Sequence, residues 1–154
     1  MKNEVSIIEY TDDYHAIFKE LNLEWLDHYH LTEPADLAVL DDPKKTILDT
    51  GGYIWLAKAG DEVIGSAAII KEGENLYELA KMAVTADWRG KGISRLLIDT
   101  CLAKAKEIGA AKLILYSNHQ LQTAIGLYEK YGFKHIAVHD SPFATADVMM
   151  ELTL

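Results

Sequence analysis

One cysteine, Cys101, is all the chain has, which excludes an internal disulfide and a thiolate metal cage and agrees with a reducing compartment. No run approaches the roughly eighteen consecutive apolar residues that a membrane helix needs. The opening MKNEVSIIEY lacks the basic end and apolar stretch of a secretory leader, so a soluble, cytoplasmic protein is expected. Positive charge is scarce: 15 Lys and Arg stand against 24 Asp and Glu, a net charge of -9, which excludes a general affinity for nucleic acid. Repeats, low-complexity segments and linkers are also missing. What remains, 154 residues of which 49% are hydrophobic, reads as one domain over 1-154 with a full core.

The charge is unevenly spread. Residues 1-50 hold twelve acidic and four basic side chains, a net -8, whereas residues 51-154 hold twelve and eleven, a net -1. Such a split suits a cationic partner at the front and an anionic one behind, and the plainer alternative is a solvated acidic helix surface.

VSIIEY reads as a first strand. Thr11 with Asp12 and Asp13 is a helix start, and Tyr14, Ile17, Phe18, Leu21 and Trp25 repeat at helical spacing. Pro34 opens a shorter helix, and DDPKK and Gly51-Gly52 are loop signals. YIWLAKA and EVIGSAAII flank Gly60-Asp61 as a hairpin, and LYELAKMAV is a third strand of the same group. A helix follows with Ile93, Leu97, Cys101, Ala105 and Ile108 on one face, ending at Gly109. AKLILYS is a strand covered on both faces, LQTAIGLYEKY is an amphipathic helix, and FKHIAV and DVMMELTL are strands. This order implies an α/β fold: a central mixed sheet of six to seven strands with helices on both faces, including a crossover between parallel strands over 76-116.

WRGKGIS places two glycines among basic residues at the mouth of a helix. The first helical turn has unpaired N-H groups and partial positive charge, and glycine lets those amides approach an oxyanion closely. Arg89, Lys91 and Arg95 add charge, so a phosphate or pyrophosphate is the natural guest. A Walker A loop does not fit, because Gly92 follows Lys91, and a dinucleotide fingerprint fails at Arg95. On spacing alone an ordinary capped loop stays open.

MAVTADWRGKGISRLL resembles the acyl-CoA signature of the GNAT superfamily of N-acetyltransferases, a strand running into [RQ]-x-x-G-x-[GA] and a helix. YSNHQLQTAIGLYEKYGF resembles the second signature of that superfamily. Ser94 departs from the pattern, since glycine or alanine is usual there. The resemblance implies a GNAT-like fold and acetyl-CoA as cofactor. It implies that backbone groups of Met82, Ala83 and Val84 pair with the pantetheine arm, and that amides of Arg89, Gly90, Lys91, Gly92, Ile93 and Ser94 hold the pyrophosphate. Asn118 would hydrogen-bond the cofactor, or simply cap the next helix, and Tyr128 would lie near the sulfur, or be a core tyrosine.

Acetyl transfer to an amine needs a neutral amine, oxyanion stabilisation and a proton for the leaving thiolate. A lysine-like amine has a pKa near 10.4, so deprotonation at pH 7 costs about 4-5 kcal/mol. Glu78, in a strand expected at the sheet centre, is the candidate base; turning to solvent or pairing with Lys81 or another cation is the alternative, and a water chain ending at another group would serve equally well as the base. Tyr128 is the candidate acid and the amide of Val84 a candidate oxyanion donor. Cys101 sits mid-helix on the apolar face, which disfavours an acyl-enzyme, and His28 with His30 lack a third ligand, so no metal is expected. The resemblance assigns acceptor binding to the first helices, where Tyr29 and Glu33 could hold a cationic amine, with core packing the alternative for the aromatic residues. The expected function is direct acetyl transfer to a primary amine of a small molecule, with a peptide or protein as the wider possibility; the alternative is a non-catalytic acyl-CoA-binding module. Monomer and homodimer both stay open.

Overall fold

The computed structural model describes residues 4-154. Its strands are β1 (Val5–Glu9), β2 (Tyr53–Ala59), β3 (Glu62–Gly73), β4 (Leu76–Val84), β5 (Lys112–Ser117), β6 (Lys134–Ile136) and β7 (Val148–Thr153). They form one sheet in the order β1-β2-β3-β4-β5-β7-β6. Only β4 and β5 pair in parallel; the other neighbours are antiparallel, so the sheet is mixed as expected. The helices are α1 (His15–His28), α2 (Pro34–Asp41), α3 (Ile93–Glu107) and α4 (Gln122–Lys130). Among the described residues no helix is long and apolar enough to cross a membrane.

Each face of the sheet has its own core. Leu97, Ile98 and Cys101 of α3 pack with Ile125 of α4 on Ala67, Leu79 and Leu113. Phe18 and Leu21 of α1 and Leu40 of α2 pack on Ile54, Leu56 and Ala68 from the opposite side. Burying each large aliphatic or aromatic side chain contributes about 1.5-3 kcal/mol. The alternation of such residues along β2 and β3 therefore holds helices on both faces.

Three local expectations change. The Thr11 hydroxyl makes no capping bond; the Thr11 carbonyl instead accepts from Tyr14 N at 2.9 Å, and a 3-10 turn over Asp12–Tyr14 leads into α1. DDPKK is partly helical, since Lys44–Leu48 forms a π-helical turn. FKHIAV is strand only over Lys134–Ile136, because the chain soon meets Asp140 in the left-handed region (φ 52) and Pro142, which cannot donate to a ladder.

The feature that shapes the cleft is a bulge in β4. Ser66 pairs with Ala83 and Ala68 with Ala80, so Ala67 alone faces both Lys81 and Met82, and Lys81 has φ 54. A bulge bends its strand and reverses the side-chain alternation beyond it. Tyr77 and Leu79 accordingly point to the α3 face, yet so does Val84, while Ala83 points to the α1 face. Pairing of β4 with β5 ends at Glu78 and Ile114, leaving the rest of β4 without a strand neighbour on that edge among the described residues.

Candidate active site

Where β4 leaves β5, a cleft of about 780 Å³ opens. It is walled by α1 and α2 on one face of the sheet and by α3 and α4 on the other. Of the expected cofactor-binding strand, Met82, Ala83 and Val84 all line it.

At the mouth of α3, Gly90 and Gly92 have φ 76 and 81, values that side-chain-bearing residues rarely adopt. Among the described residues, no atom lies within 4 Å of the position a Cβ would take at either glycine. Leu96 N reaches Gly92 O at 3.3 Å and closes the first turn, so the amides before it form the anion-seeking end of the helix. Arg89, Gly90, Gly92, Ile93 and Ser94 line the cleft with Arg95. Lys91 does not; its ammonium sits 5.1 Å from the Trp88 ring centre. Arg89 donates from Nε to Val84 O at 3.0 Å and stacks its guanidinium 4.7 Å from the Trp25 ring, joining the turn to β4 and α1. The open space over the glycines and the free edge of β4 fit a diphosphate joined to an extended, amide-bearing arm.

Glu78 is 6% exposed and lines the cleft. Burial above all, then the neighbouring Glu72 carboxylate, pushes its pKa up to about 8, against an opposing pull from Lys81. The direct pairing with Lys81 weighed from sequence is not formed: Lys81 Nζ donates to Asp36 at 3.1 Å, with both side chains 6% exposed, and sits 5.4 Å from the Phe143 ring centre.

Tyr128 lines the cleft and also belongs to the α3-side core, edge-on to Phe133 at 5.8 Å. Burial, with a smaller contribution from the adjacent Cys101, raises the pKa of its phenol and keeps it protonated. Cys101 is fully buried and its thiol is pushed up by burial, which leaves it inert.

Asn118 lines the cleft with its amide already engaged: Nδ2 donates to Thr145 O at 2.8 Å and Oδ1 accepts from Gln120 N at 3.0 Å. It therefore braces the turn before α4 and the 137-147 segment, whereas the cap position of α4 itself is Leu121. Tyr29, at the end of α1, lines the cleft and packs on Trp25 at 5.3 Å. Glu33 lies outside the cleft wall. Its carboxylate accepts from Ala144 N at 2.8 Å, Thr145 N at 3.0 Å and the Thr145 hydroxyl. Burial opposes its ionisation, but these bonds outweigh that and hold its pKa below the ordinary value.

The acidic front half mostly faces solvent or pairs locally, as in Lys19–Asp41 at 2.6 Å and Lys44–Asp49 at 3.0 Å. Among the described residues, Asp36 alone of the acids before position 51 lines the cleft.

Sequence reasoning passed over the supports of the bulge. Asn22 Nδ2 donates to Phe18 O and to Ser66 Oγ, both at 3.0 Å, and Ser66 Oγ donates to Lys81 O at 2.7 Å. The available signal was Asn22 itself, a polar residue on the buried stripe of α1. Lys81, Asp36 and Phe143 carried none, because only the bulge and the 137-147 segment bring them together.

Residues 14–133 match the family model described as the acetyltransferase (GNAT) family. The chain is 32% identical over 109 residues to the uncharacterized N-acetyltransferase YvbK of Bacillus subtilis, covering 68% of this chain and 70% of that one. It is 32% identical over 105 residues to N-acetyltransferase family 8 member 2 of Rattus norvegicus, covering 65% of this chain and 45% of that one. The chain thus spans about half the length of the rat relatives it matches. Its fold is shared with a GNAT-family acetyltransferase of Staphylococcus aureus Mu50, with TM-score 0.89, 23% identity and coverage of 97% of this chain and 99% of that one. It is shared too with a PaiA N-acetyltransferase of Thermoplasma acidophilum solved in complex with coenzyme A, with TM-score 0.77, 18% identity and coverage of 98% and 99%.

Proposed function

Because the chain belongs to the acetyltransferase (GNAT) family, we propose that it moves an acetyl group from acetyl-CoA directly to a primary amine of a small molecule. The observation that carries this is the parting of β4 from β5 beyond Glu78, beside the left-handed turn at Gly90 and Gly92. Acetyl-CoA supplies an activated thioester; the free edge at Met82, Ala83 and Val84 and the amides at the start of α3 would hold it.

Glu78 accepts the proton of the incoming ammonium, directly or through water, and its raised pKa brings a carboxylate base into the range where an amine can be neutralised. Tyr128, kept protonated by burial, donates to the departing thiolate. The bond made is carbon to nitrogen and the bond broken is carbon to sulfur; of the two protons that the ammonium loses, one leaves through Glu78 to solvent and the other replaces the proton that Tyr128 gives to the thiolate. Arg89, braced by Val84 O and Trp25, holds the turn and adds charge opposite the diphosphate.

Support for a small acceptor comes from the 137-147 segment, which Glu33 and Asn118 fasten across the α1/α2 side of the cleft. A cationic acceptor has narrower support than the front-half charge suggested, since Asp36 is already paired. The test is thiol release from acetyl-CoA with a panel of amino acids, polyamines, aminoglycosides and peptides. Release with a small amine, slowed in Tyr128→Phe while coenzyme A affinity holds, supports the proposal; coenzyme A binding without release for any amine favours a binding module instead.

A further inference from the structure

Resting on that acetyl-transfer reading, we propose that Lys81 determines acceptor specificity. Its ammonium fills the cation site built by Asp36 and Phe143, so that the acceptor carries no second positive charge beyond the amine that reacts.

An aromatic face and a buried carboxylate converging on one point are what recognition of an organic ammonium requires. Both are present on the α1/α2 side of the cleft, with the Asp36 carboxylate at 3.1 Å and the Phe143 ring centre at 5.4 Å from a single point. That point is Lys81 Nζ.

The placement is costly in two ways. Lys81 takes φ 54, a conformation that glycine or asparagine adopts more readily, and its side chain is only 6% exposed. A hydrophobic residue at the bulge would avoid the desolvation, so closing the β4 bulge does not in itself call for a lysine. The pair leaves neither of its charges unpaired, because Lys81 cancels Asp36. A distal ammonium would have to shed water where the Asp36 carboxylate and the Phe143 face are already taken by Lys81, whereas a distal methyl carries no such cost and a distal carboxylate can accept from the Lys81 ammonium.

Three acceptors with the same four-carbon chain separate the terms: butane-1,4-diamine, butylamine and 4-aminobutanoate, which end in an ammonium, a methyl and a carboxylate. In the unaltered protein kcat/KM for the diamine should fall about tenfold or more below the other two. Lys81→Met frees Asp36 Oδ1 and the Phe143 face, with Asp36 Oδ2 still accepting from Glu33 N at 3.0 Å, and should raise the diamine about tenfold relative to 4-aminobutanoate; Asp36→Asn leaves Lys81 unopposed and should move the ratio the other way. A purely structural ion pair would lower all three together in both variants, and that result overturns the proposal. Should Lys81→Met fail to fold, Asp36→Asn alone decides it. If no amine releases thiol, acetyl transfer fails as the function. The specificity is then read from the shift in melting temperature that each compound gives the coenzyme A-saturated protein, and equal shifts, including none, overturn it.

Discussion

Glu78 and Val84 lie six positions apart on β4 yet face opposite sides of the sheet, because the bulge at Lys81 and Met82 adds one residue between them. The bulge is tied to α1 through Asn22, Ser66 and the Lys81 carbonyl. Ser66→Ala removes a donor and an acceptor that are fully buried, and leaves Asn22 and the Lys81 carbonyl each short of a partner. Unfolding in urea should show a loss of about 1-3 kcal/mol, and calorimetry weaker coenzyme A binding. An unchanged midpoint would mean that strand pairing alone holds the bulge.

Glu78 makes both stability and rate depend on pH. Its pKa rises from 4.5 to about 8 on folding, so between those values the folded chain binds more protons than the unfolded one. Its contribution to stability is therefore full below about 4.5, declines as pH rises, and levels off above about 8. Glu78→Gln should remove this slope from a series of unfolding curves. As the base, Glu78 acts when ionised, so kcat/KM should climb with pH to a plateau above about 8. The glutamine variant should lose the climb and about 10²-fold or more in rate.

How much of this was legible depends on the distance over which each feature is determined. The helix mouth at Gly90 and Gly92, the apolar face of α3 and the central position of Glu78 follow from spacing within one or two elements, and each was readable. The bulge was not, since nothing in LYELAKMAV announces a left-handed lysine; it arises from Asn22 and Ser66 on two other elements. The charge of the front half pointed toward the acceptor, yet its carboxylates mostly meet water or nearby lysines. Glu33 was expected to meet an amine and instead meets backbone more than a hundred residues away, with separations of 111 and 112.

At Gly92 the strain belongs to the backbone alone. With φ 81 and no atom of the described residues within 4 Å of where a Cβ would sit, alanine would meet no clash but would incur the left-handed penalty of about 1-2 kcal/mol. Gly92→Ala should therefore lower the melting temperature and the additional stabilisation given by coenzyme A. Gly92→Asn, which tolerates that region better, should recover most of the first loss. Equal losses of the coenzyme A stabilisation in the two variants, with the melting temperature recovered in Gly92→Asn, would point to side-chain bulk against the ligand rather than to conformation.

Glu33 gives a direct test of whether its carboxylate holds the 137-147 segment or an acceptor. Glutamine in its place offers one acceptor oxygen and turns an N-H₂ toward the donors of Ala144 and Thr145. Charge-assisted bonds to both amides would be lost or weakened, so hydrogen exchange at Ala144 and Thr145 should quicken about tenfold or more with no acceptor present. Because those bonds also hold the Glu33 pKa below its ordinary value, the clamp in the unaltered protein should persist at pH values where a free glutamate has begun to protonate. A carboxylate reserved for the acceptor would leave exchange at both amides unchanged in Glu33→Gln and would alter KM for the amine instead.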